Sequence, residues 1–169
     1  MIFVTIGTDE HPFPRLLREV ENLVKKEVIK EEVVIQSGHT EFSSGVIKKV
    51  YSILPFDKFV EYIKNARIVI THGGPGSIML ALSSGKVPIV VPRRKEFGEH
   101  VDDHQIKFAR FLEEKQKIIL VYEVRNLFPA IKSYDSKARE YKKNSFIFQN
   151  KTRKFALSLD KICREVFYE

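Results

Sequence analysis

Cysteine is almost absent from this sequence of 169 residues: Cys163 is the only one, and tryptophan is missing altogether. An internal disulfide needs two cysteines, and a structural zinc site built from thiolates needs several. Both are therefore excluded, and a single cysteine is typical of proteins in a reducing compartment.

Long hydrophobic runs are also lacking. No apolar stretch approaches the roughly 18 residues that a membrane-spanning helix needs. The first ten residues, MIFVTIGTDE, show neither a basic segment followed by a long apolar one nor a small-residue cleavage site. We therefore expect no transmembrane segment and no secretion signal, with the cytoplasm as the predicted location.

Acidic residues are too few to balance the basic ones. The chain has 29 Lys and Arg against 22 Asp and Glu, a formal net charge of +7. A basic protein favours an anionic partner such as a nucleic acid, lipid head groups or a phosphorylated metabolite. No RRM, KH or helix-turn-helix pattern is present, so we predict no nucleic-acid partner.

Short apolar segments alternate with amphipathic ones along the chain. This alternation predicts an α/β fold with a doubly wound, mostly parallel, Rossmann-like sheet covered on both faces. We expect a single domain over residues 1–169, with a core at 1–122 and a helical region at 123–169. The predicted strands are 2–7, 32–37, 49–54, 67–71, 88–92 and 118–122. One predicted helix begins near residue 13. A second covers 78–84 and should be fully buried, and further helices are predicted at 102–115, 124–143 and 151–168.

The segment HGGPGS, residues 72–77, follows the predicted strand RIVIT and precedes a helix. Ligands of parallel sheets bind at such strand ends, where first-turn N–H groups and the helix dipole attract anions. Gly73, Gly74, Gly76 and the Ser77 hydroxyl thus form a candidate phosphate site. The segment lacks a Walker A lysine and the GxGxxG spacing. The alternative is that the glycines only form a tight turn and that Ser77 caps the helix.

His72 opens this segment, and two interpretations stay open for it. A histidine at a strand end is often a hydrogen-bonded core or turn residue. Next to two glycines, its ring is also placed to donate to a phosphate or sugar oxygen.

A second polar cluster, PRRKEFGEHVDDHQ, follows the next strand at residues 92–105. Its density of charged and amide groups at a strand-to-helix junction favours recognition of a sugar or ribose. The candidate contacts are Arg93, Glu99, His100, Asp103, His104 and Gln105. Metal binding by His100 and His104 lacks a convincing third ligand, so we predict no metal, and we expect Asp102 and Gln105 to form a capping pair.

Two further candidates lie after other strands. Thr8 follows the first strand and is a possible phosphate contact or a local turn residue. Phe56, in LPF after the third strand, offers an aromatic face to a base or belongs to the core.

Together, THGGPGS, GKVPIVVPR and EHVDDHQ resemble the C-terminal, donor-binding domain of family 28 glycosyltransferases with the GT-B fold. Within that family, residues 1–122 are similar to the small catalytic subunit of two-component capsular and exopolysaccharide glycosyltransferases, and to its eukaryotic relative that adds the second N-acetylglucosamine to a dolichol-linked carrier. The resemblance implies a UDP-sugar donor, with diphosphate at HGGPGS, uracil at LPF, and sugar or diphosphate at DHQ. It also implies inversion at the anomeric carbon.

Three expectations follow from this resemblance. Many relatives carry a ribose-binding glutamate where this chain has Leu80, which leaves the ribose to another residue, with Glu99 a candidate, or leaves nucleotide affinity weak. No Asp-x-Asp triplet is present, so we expect metal-independent hexosyl transfer without a cofactor. A membrane-anchored partner subunit should bind the lipid-linked saccharide acceptor and supply the general base, holding this chain at the inner face of the membrane.

The main alternative from another class is a non-catalytic, nucleotide-binding regulatory subunit. Exposed apolar surface that a partner subunit would cover also favours formation of a homodimer when the chain is isolated.

Overall fold

The computed structural model describes residues 1–146, and the predicted helix 151–168 and Cys163 lie outside this range. Six parallel strands form one sheet in the order β3-β2-β1-β4-β5-β6. The strands are β1 (Ile2–Thr5), β2 (Val33–Gln36), β3 (Lys49–Tyr51), β4 (Ile68–Thr71), β5 (Ile89–Val90) and β6 (Ile119–Leu120). This is the strand order of the Rossmann fold, so the predicted fold class is confirmed.

Six α-helices accompany the sheet in the described part of the chain. They are α1 (Pro14–Lys25), α2 (Phe56–Asn65), α3 (Pro75–Ser83), α4 (His104–Glu114), α5 (Leu127–Lys132) and α6 (Tyr134–Phe146), with short 3₁₀ helices at Lys95–Phe97 and Val124–Asn126. The single helix expected at 124–143 is therefore wrong. A 3₁₀ helix and two α-helices separated at Ser133 replace it.

The helices cover both faces of the sheet. Side chains of α1, α5 and α6 pack on the face that presents Ile2, Val4, Ile35 and Ile70. On the opposite face, α2 and α3 pack over Phe3, Val34 and Val69, while α3 and α4 enclose Val90. Because side chains alternate between the faces of a strand, strands that are buried on both sides are apolar at nearly every position.

The expectation that α3 is fully buried is wrong. Only Ile78 and Ala81 are buried, whereas Met79, Leu80 and Leu82 are partly exposed. A helix that packs on one face of a sheet buries only the side that faces the sheet, and its outer side stays accessible to solvent. Its apolar composition therefore predicts more burial than the structure shows.

The start of α4 also differs from expectation. Asp103 is the N-cap residue and makes no side-chain capping bond, so the predicted pairing of Asp102 with Gln105 is absent. Instead, Asp102 Oδ1 accepts from the His104 N–H, and the Gln105 amide oxygen accepts from the Arg93 N–H at 3.2 Å.

Candidate functional site

The strand order places a ligand crevice between β1 and β4. Connections leave these two neighbouring strands toward opposite faces of the sheet, which opens a gap beyond their carboxyl ends. The segments that border the gap are residues 6–13 after β1 and 72–74 after β4. The glycine-rich segment predicted to bind phosphate lies at this switch point.

A row of buried polar side chains marks the same end of the sheet. Thr5 is in register with Gln36 on one side and with Thr71 on the other. All three are less than 5% exposed. They continue the apolar row of Phe3, Val34 and Val69, so the sheet becomes polar where its strands end.

The first turn of α3 points toward the crevice. Gly74 is its N-cap, Pro75 is its first residue, and no side chain caps this end. By helix geometry, the N–H groups of Gly76 and Ser77 have no carbonyl partner within the helix. They lie at the positive end of the dipole, where a phosphate is stabilised.

A cavity of about 230 Å³ lies beside this helix end. It is lined by the polar residues Ser77 and Thr8 with Gly7, and by Leu54, Phe56 and neighbouring apolar side chains. Thus the structure brings together Thr8, Phe56 and Ser77, which come from three separate segments of the chain. Phe56 is 74% exposed, and this excludes the alternative that it is a plain core residue.

His72 lies beneath the two loops that follow β1 and β4 instead of facing solvent. It is 8% exposed, and its ring fills the space next to two glycines. A Cβ added to Gly74 would lie 2.2 Å from His72 Nε2, and one added to Gly7 would lie 2.6 Å from Cε1. Burial lowers the pKa of His72 to about 4, with the positive charge of Arg93 contributing. The imidazole is therefore neutral near pH 7 and supports both loops.

Gly76 differs from the glycines before it. A Cβ on Gly73 would lie 2.6 Å from the Gln105 Cβ, so packing explains that glycine. At Gly76 nothing lies within 4 Å of the added Cβ, and its φ is not positive. Alanine at a helical position is more stable than glycine by up to about 1 kcal/mol. Neither packing nor backbone conformation requires a glycine here, and the space above Gly76 is open to a ligand.

Arg93 is the largest fully buried side chain in the described residues, at 1% exposure. Its guanidinium donates to the backbone carbonyls of Ile6, His11 and Glu99, at 2.8 Å for Ile6 and 3.0 Å for Glu99. Arg93 therefore ties the segment after β1 to the segment after β5. Its Nη groups are thus bonded within the protein, and the carboxylates of Asp9 and Glu99 lie near its charge, whereas its buried Nε has no hydrogen-bond partner among the described residues.

Glu99 is similarly occupied. Its oxygens accept from Arg15 Nε at 2.6 Å, from Arg15 Nη2 at 3.0 Å and from the Arg94 N–H at 3.0 Å. The side chain is 3% exposed, so these contacts support a structural role instead of the ribose contact considered above. The sequence did not single out Arg15, because its partner lies 84 positions further along the chain.

Histidines and aspartates from two loops form a cluster beside the crevice. His100 Nε2 lies 3.8 Å from Asp9 Oδ2, and its Nδ1 lies 3.3 Å from Asp102 Oδ1. The His104 ring contacts both His100 and Asp102. Asp103, in contrast, accepts from the Lys95 N–H at 3.1 Å, which stabilises the local turn.

The structure places Asp102 as the third ligand group that was not found from the sequence. Within the described residues, one ligand atom from each of His100, Asp102 and His104 lies within 4.8 Å of the others, which is close enough to hold a metal ion. Asp102 is largely exposed and already accepts hydrogen bonds from His104. Although burial opposes it, these bonds lower the pKa of Asp102. The histidines thus have a partner in the protein itself.

Leu80 occupies the position where the resemblance implies an acidic residue. It is partly buried and packs against the apolar cluster that contains Phe3, Val34 and Ile63, alongside Leu54 and Phe59. It is not among the residues that line the cavity.

An uncapped helix end at the switch point of a Rossmann-ordered sheet is the geometry at which α/β domains commonly bind phosphorylated ligands. Residues 1–159 match the glycosyltransferase family 28 C-terminal domain, and the chain belongs to this family.

A solved structure supports the same fold. The chain is similar to the glycosyltransferase of kitacinnamycin, with a TM-score of 0.55 and 16% identity over 85% of this chain. It also matches the glycosyltransferase SnogD from Streptomyces nogalater, with a TM-score of 0.45 and 18% identity over 85% of this chain. In each case it spans 37% of the other protein's length. Among curated proteins, no match is found.

Proposed function

We propose that this chain is the donor-binding, catalytic subunit of an inverting, UDP-sugar-dependent glycosyltransferase. It transfers a hexose to a lipid-linked acceptor in polysaccharide biosynthesis. Family membership supports the reaction class. The observation that carries the proposal is the open space above Gly76 at the uncapped first turn of α3, beside the cavity.

The diphosphate of the donor binds at the first turn of α3. Negative charge develops on UDP as the bond between phosphate and sugar breaks, and the N–H groups of Gly76 and Ser77 stabilise it. The Ser77 hydroxyl and Thr8 add donors from the two sides of the crevice. This arrangement supplies the stabilisation through preorganised donors and does not need a metal ion.

The base that deprotonates the acceptor hydroxyl comes from a membrane-anchored partner. His72 is unsuited to this role because it is buried and its pKa is about 4. The partner also binds the lipid-linked acceptor and holds this chain at the cytoplasmic face of the membrane. Within residues 1–146, no helix is long and apolar enough to cross a membrane.

Replacement of Gly76 by alanine tests the donor site. The new methyl group enters the space above the first turn, so we expect Gly76→Ala to weaken UDP binding about tenfold or more, as measured by isothermal titration calorimetry. Folding stability should stay equal or rise by up to about 1 kcal/mol, because alanine favours the helix.

Gly45→Ala is the matched control. A Cβ added to Gly45 also has nothing within 4 Å, and this residue lies in the segment between β2 and β3. It should bind UDP like the wild type. Equal UDP affinity in Gly76→Ala and the wild type would contradict the assignment of the diphosphate to this helix end.

A further inference from the structure

We infer that Gln36 is a specificity-determining residue of the donor site, whose carboxamide hydrogen-bonds to the nucleoside half of the donor. This inference rests on the proposed function. The candidate contacts considered from the sequence did not include Gln36, which ends the apolar strand VVIQ as its one polar residue.

Gln36 carries an unmet hydrogen-bonding requirement. The residue is 4% exposed, and its buried Oε1 has no hydrogen-bond partner among the described residues. A buried polar atom without a partner costs about 1–3 kcal/mol. The same side chain lines the 230 Å³ cavity next to Ser77, so rotation of its carboxamide about the last side-chain bond brings its polar atoms toward a ligand bound there.

The register of the sheet explains why this side chain faces the cavity. Gln36 lies on the same face as Val34, two positions earlier, and Val34 packs under α2 and α3. Beyond the end of β2, those helices no longer cover the strand, and the polar side chain meets the crevice. Its in-register neighbour Thr5 accepts a hydrogen bond from the Gly7 N–H at 3.3 Å, which leaves Gln36 as the unsatisfied member of the row.

The surroundings of Gln36 suit a nucleoside better than a phosphate. Tyr51 is its register partner on β3, and the segment that follows β3 supplies the apolar wall of the cavity. Those wall residues are Ile53, Leu54, Phe56 and Phe59. A planar base packs well on apolar and aromatic side chains, whereas a charged phosphate does not. The N–H groups that bind phosphate lie at the start of α3.

A carboxamide matches the polar groups of a nucleoside. It presents one acceptor and two donors side by side, and a half-turn about its last bond exchanges them. Both the edge of a uracil ring, which alternates donor and acceptor, and the ribose hydroxyls pair with such a group. Gln36 thereby supplies a contact that the Leu80 side chain is unable to make.

Replacement of Gln36 by leucine separates a ligand-binding role from a structural one. We expect Gln36→Leu to weaken UDP binding about tenfold in calorimetric titration, which is the loss of roughly one hydrogen bond. The free energy of unfolding should stay equal or increase, because the variant removes a buried unsatisfied group. Gln36→Met provides a second apolar variant of similar size if the leucine variant folds poorly.

Inorganic pyrophosphate, used as a competitor of UDP, distinguishes the two halves of the donor. Gln36→Leu should leave the affinity for pyrophosphate within about twofold of the wild type, whereas Gly76→Ala should weaken pyrophosphate and UDP alike. Unchanged UDP affinity in Gln36→Leu, or an equal loss for UDP and pyrophosphate, would overturn the inference and leave the proposed function intact. Failure of the wild-type chain to bind UDP would overturn both.

Discussion

At the scale of single residues, His72 shows how burial changes the role of a side chain. Next to two glycines, a histidine has the sequence context of a phosphate donor. In the structure its ring is 8% exposed and fills the space beside Gly7 and Gly74. The ring thus leaves no room for a side chain at Gly7 or Gly74, whereas the space above Gly76 stays open.

The buried imidazole makes stability depend on pH. The pKa of His72 is about 4 in the folded chain and near 6.5 in the unfolded chain, so the unfolded state binds more protons between these values. The contribution of His72 is fully present above about pH 6.5 and is lost as pH falls toward 4. We expect the loss to reach about 3 kcal/mol at pH 4, measured by urea unfolding at several pH values.

His72→Gln removes the titrating group and is the comparison for this measurement. The difference in unfolding free energy between wild type and variant should change with pH over this range. A difference that stays constant from pH 7 to pH 4 would show that the imidazole is not held neutral by the fold.

At the scale of secondary-structure elements, Arg93 joins connections that are far apart in sequence. It follows β5 and donates to carbonyls at Ile6 and His11 after β1, and at Glu99 before α4. The site therefore depends on a buried cation that holds its loops together. The positive charges of this segment do not all face a ligand, since Arg94 is paired with Glu123 and packs on Tyr122.

We expect Arg93→Met to lower the free energy of unfolding by about 3 kcal/mol or more, because buried carbonyl oxygens lose their donors at once. Lys95→Met, at an exposed position two residues further on, should change it by less than about 0.5 kcal/mol. Denaturant titration of both variants gives the comparison. A stable Arg93→Met that has lost UDP affinity would instead assign Arg93 to the ligand.

Sequence reasoning predicted the order of the strands and of the helices up to residue 115, because local patterns of apolar residues, glycine and proline define them. The anion site at Gly76 and Ser77 rests on the same local patterns and stays a prediction. The contacts of Arg93, Glu99 and Gln105 are long-range, and in the sequence they look like free polar groups. Gln36 was missed because its register next to Thr5 exists only once the strands pair.

At the scale of the whole molecule, the proposed function assigns this chain one side of a reaction site. The chain spans 37% of the length of the glycosyltransferase of kitacinnamycin, to which it is similar. Its described crevice lies at the carboxyl ends of β1 and β4, where we propose that the donor binds. The acceptor side is what the proposed partner supplies.

We expect the purified chain to bind UDP but to transfer no sugar to a soluble acceptor. Transfer of radiolabelled hexose from UDP-hexoses to lipid should appear when the chain is added to membranes from cells that lack its gene. Ser77→Ala should restore less transfer than the wild type, because the leaving UDP loses a donor.

Two outcomes would contradict this expectation in different ways. Transfer by the isolated chain would refute the need for a partner. UDP binding without transfer in any combination would favour the regulatory alternative.

The ring of His72 also constrains how this sequence is able to evolve. Gly74 has an ordinary φ of −70°, and the three atoms nearest to an added Cβ all belong to the imidazole, so a smaller side chain at 72 would remove the closest clash. Gly7, with a φ of +74°, would stay restricted even then. Substitutions at these positions are therefore expected in a fixed order. His72 must be replaced before Gly74 is free to vary, whereas Gly7 stays glycine whether or not His72 is replaced.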